Sequence, residues 1–248
     1  MLGGVAVAAV AGAVVAVVAL GGGETLWIAL AGRRLQAIDL VRGRPAGKPI
    51  RLGVNPAYVA AVGDRVAVLS NPDTGGRLQL VDARRRRPAG DPIDVGGAPT
   101  DLVASGGQLL ALLAFPPALL RYDARGRPTG EAPLEAGGFP PELALDAAGT
   151  AWVSLYDAGR VARLDTDSGR PAGEPVRVGP EPQGIAVDGD SVWVASRGDG
   201  TVSRIDVETG ALLGRPVQAG ELNGEIAAAA GVAWASSGRE VVRIEPAP

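Results

Sequence analysis

Residues 182–220 read PQGIAVDGDSVWVASRGDGTVSRIDVETGALLGRPVQAG, and the segment divides itself at its turn residues. GIAVD (184–188) ends at Asp188-Gly189-Asp190, and SVWVAS (191–196) at Arg197-Gly198-Asp199-Gly200. TVSRIDV (201–207) ends at Glu208-Thr209-Gly210, and RPVQAG (215–220) closes the set. Gly-containing pairs between short alternating runs are hairpin signals, and apolar residues at every second position give each run one inward face. The segment therefore holds four strands, a to d in chain order.

The same unit recurs along the chain. The acid at the end of strand c appears in AIDL, LVDA, RYDA, RLDT, RIDV and RIEP, as Asp39, Asp82, Asp123, Asp165, Asp206 and Glu245. The steps between them are 43, 41, 42, 41 and 39 residues. In strand b, Trp152, Trp193 and Trp234 keep a 41-residue spacing, Trp27 begins the same strand of the first copy, and Ala67 and Leu110 take its place in the second and third. A repeat of about 40–45 residues made of short strands marks a propeller blade. The expected fold is all-β: a six-bladed β-propeller of four-stranded antiparallel blades over residues 24–248. Twenty-two strands can be counted: b to d from Glu24 to Gly53, four full sets from Ala57 to Gly220, and a to c from Glu225 to Glu245. The last blade then lacks an outer strand, which leaves residues 239–245 as an open edge. A five-bladed ring mixing the two chain ends is the other closure. One Trp per blade is read as packing between neighbouring blades rather than as a ligand platform.

Composition narrows the chemistry. The 248 residues carry a net charge of −3, and Lys48 is the only lysine beside 23 arginines, so no global field draws the chain to nucleic acid. Cysteine is absent, which removes disulfides, thiol nucleophiles and thiolate metal sites. Histidine is absent too, and with it the commonest general base and transition-metal ligand. Carboxylates holding a hard cation remain as a route to metal chemistry.

Residues 1–20, MLGGVAVAAVAGAVVAVVAL, contain no charge and have the length of a bilayer-spanning helix. The first expectation is an apolar membrane anchor or signal-like helix preceding the propeller, although no Lys or Arg flanks the run. A competing reading comes from register. Val18-Ala19-Leu20 stands nine residues before Trp27, as Leu143-Ala144-Leu145 stands nine before Trp152. By that count the end of the leader is the innermost strand of the first blade.

The block GIAVDGDSVWVASRGDGTVSRIDVETG resembles the repeats of YVTN-type bacterial propellers and of the virginiamycin B lyase-like group, with weaker copies over residues 24–248. The resemblance implies a propeller and names no activity. The lyase activity of one branch implies an active-site histidine with a divalent ion, and this chain has no histidine to carry it. Similar propellers also form the extracytoplasmic half of membrane-tethered bacterial receptor-like kinases, and a leader running into blade one looks like such a junction. WD40 repeats are disfavoured because no Trp precedes an Asp, and Kelch repeats because no Gly-Gly doublet recurs at a fixed place.

In a propeller, the loops entering strand a and those joining b to c share one face. The residues directly before the inner strand are Tyr58, Asp101, Glu142, Gly184 and Glu225. The b to c loops add Asn71, Asp73, Phe115, Tyr156, Asp157, Arg197 and Asp199. Of these, Tyr58, Asp101, Phe115, Glu142, Tyr156, Asp157, Arg197, Asp199 and Glu225 are the candidate ligand-binding residues, because scaffolded function resides on loops and exposed loop aromatics mark binding. Charged strand starts are also ordinary surface, so the acids have a plain alternative reading. The c to d turns, VRGRPAGKP, ARRRRPAGDP, ARGRPTGEA and DSGRPAGEP, make the opposite face basic.

The expected function is a non-enzymatic, membrane-tethered extracytoplasmic binding or sensor domain. It would take a protein, peptide or envelope ligand on its loop face, without catalytic residues, cofactor or nucleic acid. The alternative is a metal-dependent lyase or lactonase using a divalent cation at the channel mouth, held by Asp101, Glu142 and Glu225.

Overall fold

The computed structural model describes residues 7–10, 13–20, 23–70, 75–134 and 142–245, with side chains described from residue 25 onward. All regular structure among these residues is β. The chain divides into two compact units, residues 1–116 with 120–131, and residues 117–119 with 132–248.

The first sheet contains β1 (Val7–Val10), β2 (Ala13–Leu20), β3 (Gly23–Leu30) and β4 (Arg34–Asp39), with β5 (Arg44–Pro45) and β6 (Ile50–Arg51) both on the outer edge of β4. The second orders β7 (Pro56–Val62), β8 (Arg65–Ser70) and β9 (Arg77–Asp82), with β10 (Arg87–Pro88) and β11 (Ile93–Asp94) on the edge of β9. The third is β12 (Pro99–Ser105), β13 (Gln108–Ala114), β14 (Pro117–Asp123) and β15 (Pro128–Pro133). The fourth is β16 (Leu143–Leu145), β17 (Thr150–Leu155), β18 (Arg160–Asp165) and β19 (Val176–Arg177). The fifth is β20 (Pro182–Asp188), β21 (Ser191–Ser196), β22 (Thr201–Asp206) and β23 (Val217–Gln218). The sixth, β24 (Leu222–Ala229), β25 (Val232–Ser237) and β26 (Glu240–Ile244), shows three strands among the described residues, with β26 outermost as the open edge expected from the sequence.

The N-terminal helix is not found. Val7–Val10 and Ala13–Leu20 are strands, and β2 pairs with β3 from Val14↔Ala29 to Leu20↔Gly23. The register reading of Val18-Ala19-Leu20 is the one adopted. The physical reason lies in composition and partner: the run is rich in β-branched valine, which is stiff at χ1 and favours the pleated sheet, and β3 offers it a full ladder of backbone partners. Among the described residues no helix is long and apolar enough to cross a membrane.

The recurring acid has a local cause. Asp39 Oδ1 accepts from the Arg42 N–H (3.0 Å), Asp82 Oδ1 from Arg85 (2.7 Å), Asp123 Oδ1 from Arg125 and Arg127 (2.8 and 2.9 Å), Asp165 Oδ1 from Ser168 (2.7 Å), and Asp206 Oδ1 from Thr209 (2.8 Å). Each carboxylate caps its turn by accepting from an N–H two to four residues on, and so fixes the exit from strand c. These bonds, together with the Arg42, Arg85 and Arg127 guanidiniums and the Thr209 hydroxyl, hold Asp39, Asp82, Asp123 and Asp206 below the usual carboxylate range.

Three of the four recurring tryptophans, Trp27, Trp152 and Trp193, are core as expected, while Trp234 in the sixth sheet is half-buried. Trp27 packs with Val59, Val66 and Val68 of the second sheet, Trp152 with Ile185, Val192 and Val194 of the fifth, and Trp193 with Leu222, Ile226 and Ala233 of the sixth. The indole of one sheet thus fills the layer against the next, a contact that dominates burial when most other core residues are Val, Ala and Leu. Ala67 and Leu110 are buried at the equivalent places.

Candidate functional site

Strand a begins with a kink that sets the loop face. Pairing slips between Pro56 and Tyr58, between Pro99 and Asp101, and between Pro182 and Gly184. Tyr58, Asp101 and Gly184 therefore share one register position immediately after a bulge, a feature that re-aims a side chain at a strand end. Glu142, next to the Leu143↔Val153 pair, and Glu225, next to Ile226↔Ala235, hold the corresponding places.

The candidates fall in both units. In the first, Tyr58 is half-buried against a core of Leu69, Leu78 and Leu113, and Asp101 is buried, its Oδ1 accepting from the Leu102 N–H at 2.7 Å. Phe115 is the outlying member, 66% exposed at the turn between β13 and β14. Asn71 and Asp73 lie outside the described residues.

In the second unit, four of the six candidates enter an ordered polar surface. The Tyr156 hydroxyl donates to Glu181 Oε2 at 2.8 Å. That bond, and the field of the Glu181 carboxylate, push the phenol pKa up, while the Arg197 guanidinium on the same phenol opposes the shift. The Arg197 and Gly198 N–H groups donate to the Glu181 and Pro180 carbonyls at 3.0 and 3.1 Å, which docks the loop after β21 onto the entry loop of β20. Glu142 Oε2 accepts from the Ile185 N–H at 3.3 Å. Ser154 Oγ lies 3.1 and 3.0 Å from the Glu142 and Gln183 carbonyl oxygens. Asp199 Oδ1 accepts from the Thr201 hydroxyl at 2.7 Å. Asp157 is exposed beside Tyr156, and partial burial of Glu225 pushes its carboxyl pKa up.

Beside Asp199 opens a groove of about 400 Å³ between the fourth and fifth sheets, lined by Arg177, Val178, Gly179, Pro180, Thr201, Ser203, Leu212 and Pro216. Ser203, with no exposed surface, has an Oγ without a partner among the described residues, and so does Ser196 beside Gly179. The Arg177 guanidinium, the Asp199 carboxylate and two prolines give this groove both polar and apolar lining, while the Ser203 hydroxyl lies beneath its surface. Sequence reasoning missed Glu181 and Ser203. A signal existed for the first, since Glu181 stands between Pro180 and Pro182, while Ser203 is one more alternating strand residue.

No group of three or more carboxylates among the described residues is gathered for a metal ion.

No protein-family model and no curated protein matches the sequence. Solved structures do. A streptogramin B lyase structure matches with TM-score 0.75 at 14% identity over 91% of this chain and 76% of its own. A chain of a mitotic checkpoint complex matches with TM-score 0.76 at 12% identity over 94% and 75%. A functionally unknown protein from Desulfotomaculum acetoxidans DSM 771 matches with TM-score 0.72 at 15% identity over 86% and 72%. At such identity the likeness establishes the β-propeller fold and carries no activity with it.

Proposed function

We propose that this chain is a non-enzymatic, six-bladed binding or sensor propeller that recognises a protein or peptide, an envelope component included, through its a-entry and b to c loops. The observation that carries the reading is the Tyr156, Glu181 and Arg197 cluster: an aromatic held between opposite charges on docked loops, next to a shallow groove. Rigid aromatic anchors with a polar surround are what interfaces use, and loops fixed by backbone hydrogen bonds lose little entropy on binding. That a mitotic checkpoint assembly contains a chain of this fold is consistent with protein recognition. The streptogramin B lyase likeness does not favour the enzyme reading, because Glu142 is engaged with the Ile185 backbone and Asp101 is buried on its own strand.

The proposal includes an extracytoplasmic location at the cell membrane, which protease added to intact cells tests through a C-terminal tag. The binding face is tested by photocrosslinking in the native host with p-benzoylphenylalanine placed at Phe115, at Tyr156 and, as a control, at Asp190. Discrete adducts from the first two positions and none from Asp190 are expected. Adducts absent at both, or equal at all three, overturn the assignment of the face.

A further inference from the structure

The first unit carries a second surface, at the other end of its strands from the loop face. The turn after β4 lifts Leu40 and Val41 into solvent, 39% and 79% exposed, although both are large and apolar. Arg42 and Arg44 follow directly, and the adjacent turn after β9 is the four-arginine run 84–87. The two turns touch: Arg86 Nη2 donates to the Lys48 carbonyl at 3.2 Å and lies against Gly47. Arg42 and Arg85 are bound to Asp39 and Asp82. Arg44, Lys48, Arg84 and Arg87 are exposed and make no ion pair among the described residues. Asp91, on the second of these turns, and the exposed Asp64, whose carbonyl accepts from the Ala83 N–H beside Arg84, partly offset them.

We infer that this turn pair docks on an anionic phospholipid bilayer, with Val41 and Leu40 entering the interfacial layer and the four unpaired cations meeting the headgroup phosphates. Exposed aliphatic side chains that are costly to leave in water, ringed by cations, match an interface that is apolar beneath and anionic above. A nucleic acid would meet the cations equally well, but it offers nothing to the two aliphatic residues, and these turns hold no aromatic for base stacking. The inference is independent of the loop-face reading, since its residues belong to neither the Tyr156 cluster nor the groove.

The chain has no cysteine, so a single one can be introduced as a reporter. The full chain carrying Val41→Cys, labelled with a polarity-sensitive fluorophore, is mixed with phosphatidylglycerol vesicles and with phosphatidylcholine vesicles. A blue shift on the anionic vesicles alone, removed by high salt, is expected. The same label at Asn55→Cys, at the opposite end of the strands, should not respond. Changing Arg44, Lys48, Arg84 and Arg87 together to Gln should weaken the Val41-site response on the order of 1,000-fold in lipid concentration. These side chains are exposed, and an unchanged thermal melt confirms that the variant folds. In the unlabelled chain, Val41→Ser should weaken anionic-vesicle binding about 5-fold. No response at Val41, a response equal on both lipids, or one equal at Asn55 overturns the inference. So does anionic-vesicle binding by the unlabelled chain that is insensitive to Val41→Ser, because that identifies a patch for polyanions in general rather than one for a bilayer.

Discussion

Asp146 is the side chain whose removal should cost the second unit most per atom. It closes the turn between β16 and β17 and is only 5% exposed. Its Oδ1 accepts from the Ala148 and Thr150 N–H groups at 3.0 and 2.8 Å, and its Oδ2 from Trp152 Nε1 at 3.0 Å. Hydrogen bonds to a charged group are each worth about 1.5–3 kcal/mol, and stranding the buried indole N–H adds about 1–3 kcal/mol. Against this stands the desolvation of the carboxylate, which the alanine variant no longer suffers. The molecule itself bounds the indole part, because Trp27 and Trp193 keep their Nε1 without a partner among the described residues and still pack fully. Asp146→Ala should therefore cost about 3 kcal/mol net, or roughly 6–12 °C in Tm for a chain of this size. Asp146→Asn keeps an acceptor for the turn but offers an amide N–H to the indole N–H, so its loss should be about half as large, on the order of 1.5 kcal/mol. Urea unfolding followed by tryptophan fluorescence reads both variants against wild type. A loss below about 1 kcal/mol for the alanine variant, or an asparagine variant as poor as alanine, would refute the reasoning.

Gly184→Ala tests the close approach behind the loop face, where an added Cβ would run into the carbonyl oxygen of Gly224, a backbone atom that cannot swing away. A loss of about 1–3 kcal/mol in the same urea assay is expected. Gly189→Ala, in a left-handed turn with open space around it, should lose only about 1 kcal/mol, and equal losses would remove the steric argument. Glu225→Gln tests the raised carboxyl pKa. A raised folded value means that the folded state binds the proton more tightly, so wild type loses stability as pH climbs from the ordinary glutamate value of 4.5 through the raised one. The glutamine variant should be the more stable protein at pH 7 and match wild type below pH 4.5, as thermal melts across pH would show; no difference across pH would place Glu225 in solvent, and a more stable wild type at pH 7 would mean a partner for its carboxylate.

The fold was legible because its signals are local. A turn capped by a carboxylate puts an acid at one place in the copy, and burial between sheets favours a large residue at another, so Asp206 and Trp193 have counterparts in most copies. Strand ends followed from Gly-containing turns for the same reason, and β21 runs over the residues read for it. The leader was open to two readings because hydropathy and length describe a bilayer helix and an inner strand alike, and pairing with β3 selects the strand over the expected helix. The site was legible in part. Tyr156 and Arg197 were placed on one face by register, yet the partner that organises them, Glu181, comes from the entry loop of the fifth sheet, which is Arg197's own, and its bond to Tyr156 of the fourth sheet depends on how the two sheets pack. Asp101 and Glu142, alike in sequence position, differ in the structure, because one carboxylate turns to its own strand and the other reaches Ile185 across to the next sheet.

The arginine run shows most clearly where the repeat stops dictating residues and space takes over. Arg163 and Arg204 pair in register with Trp152 and Trp193, and each guanidinium lies over the indole, 5.4 and 5.3 Å from the ring centroid. Opposite Trp27 the register holds Ala37 instead, too small to cover the ring. Arg86, from the turn after β9, reaches back and stands 5.5 Å above Trp27, restoring the contact from another sheet at the expense of a left-handed backbone at φ +54. Burial there lowers its pKa, as expected of a cation taken partly out of water. Four consecutive arginines are thus divided by geometry: Arg85 to the Asp82 turn, Arg86 to the Trp27 ring, and Arg84 with Arg87 to solvent. Composition alone makes the four equivalent, and the vacancy left by Ala37 decides which of them belongs to the core and which remain free to meet a charged surface.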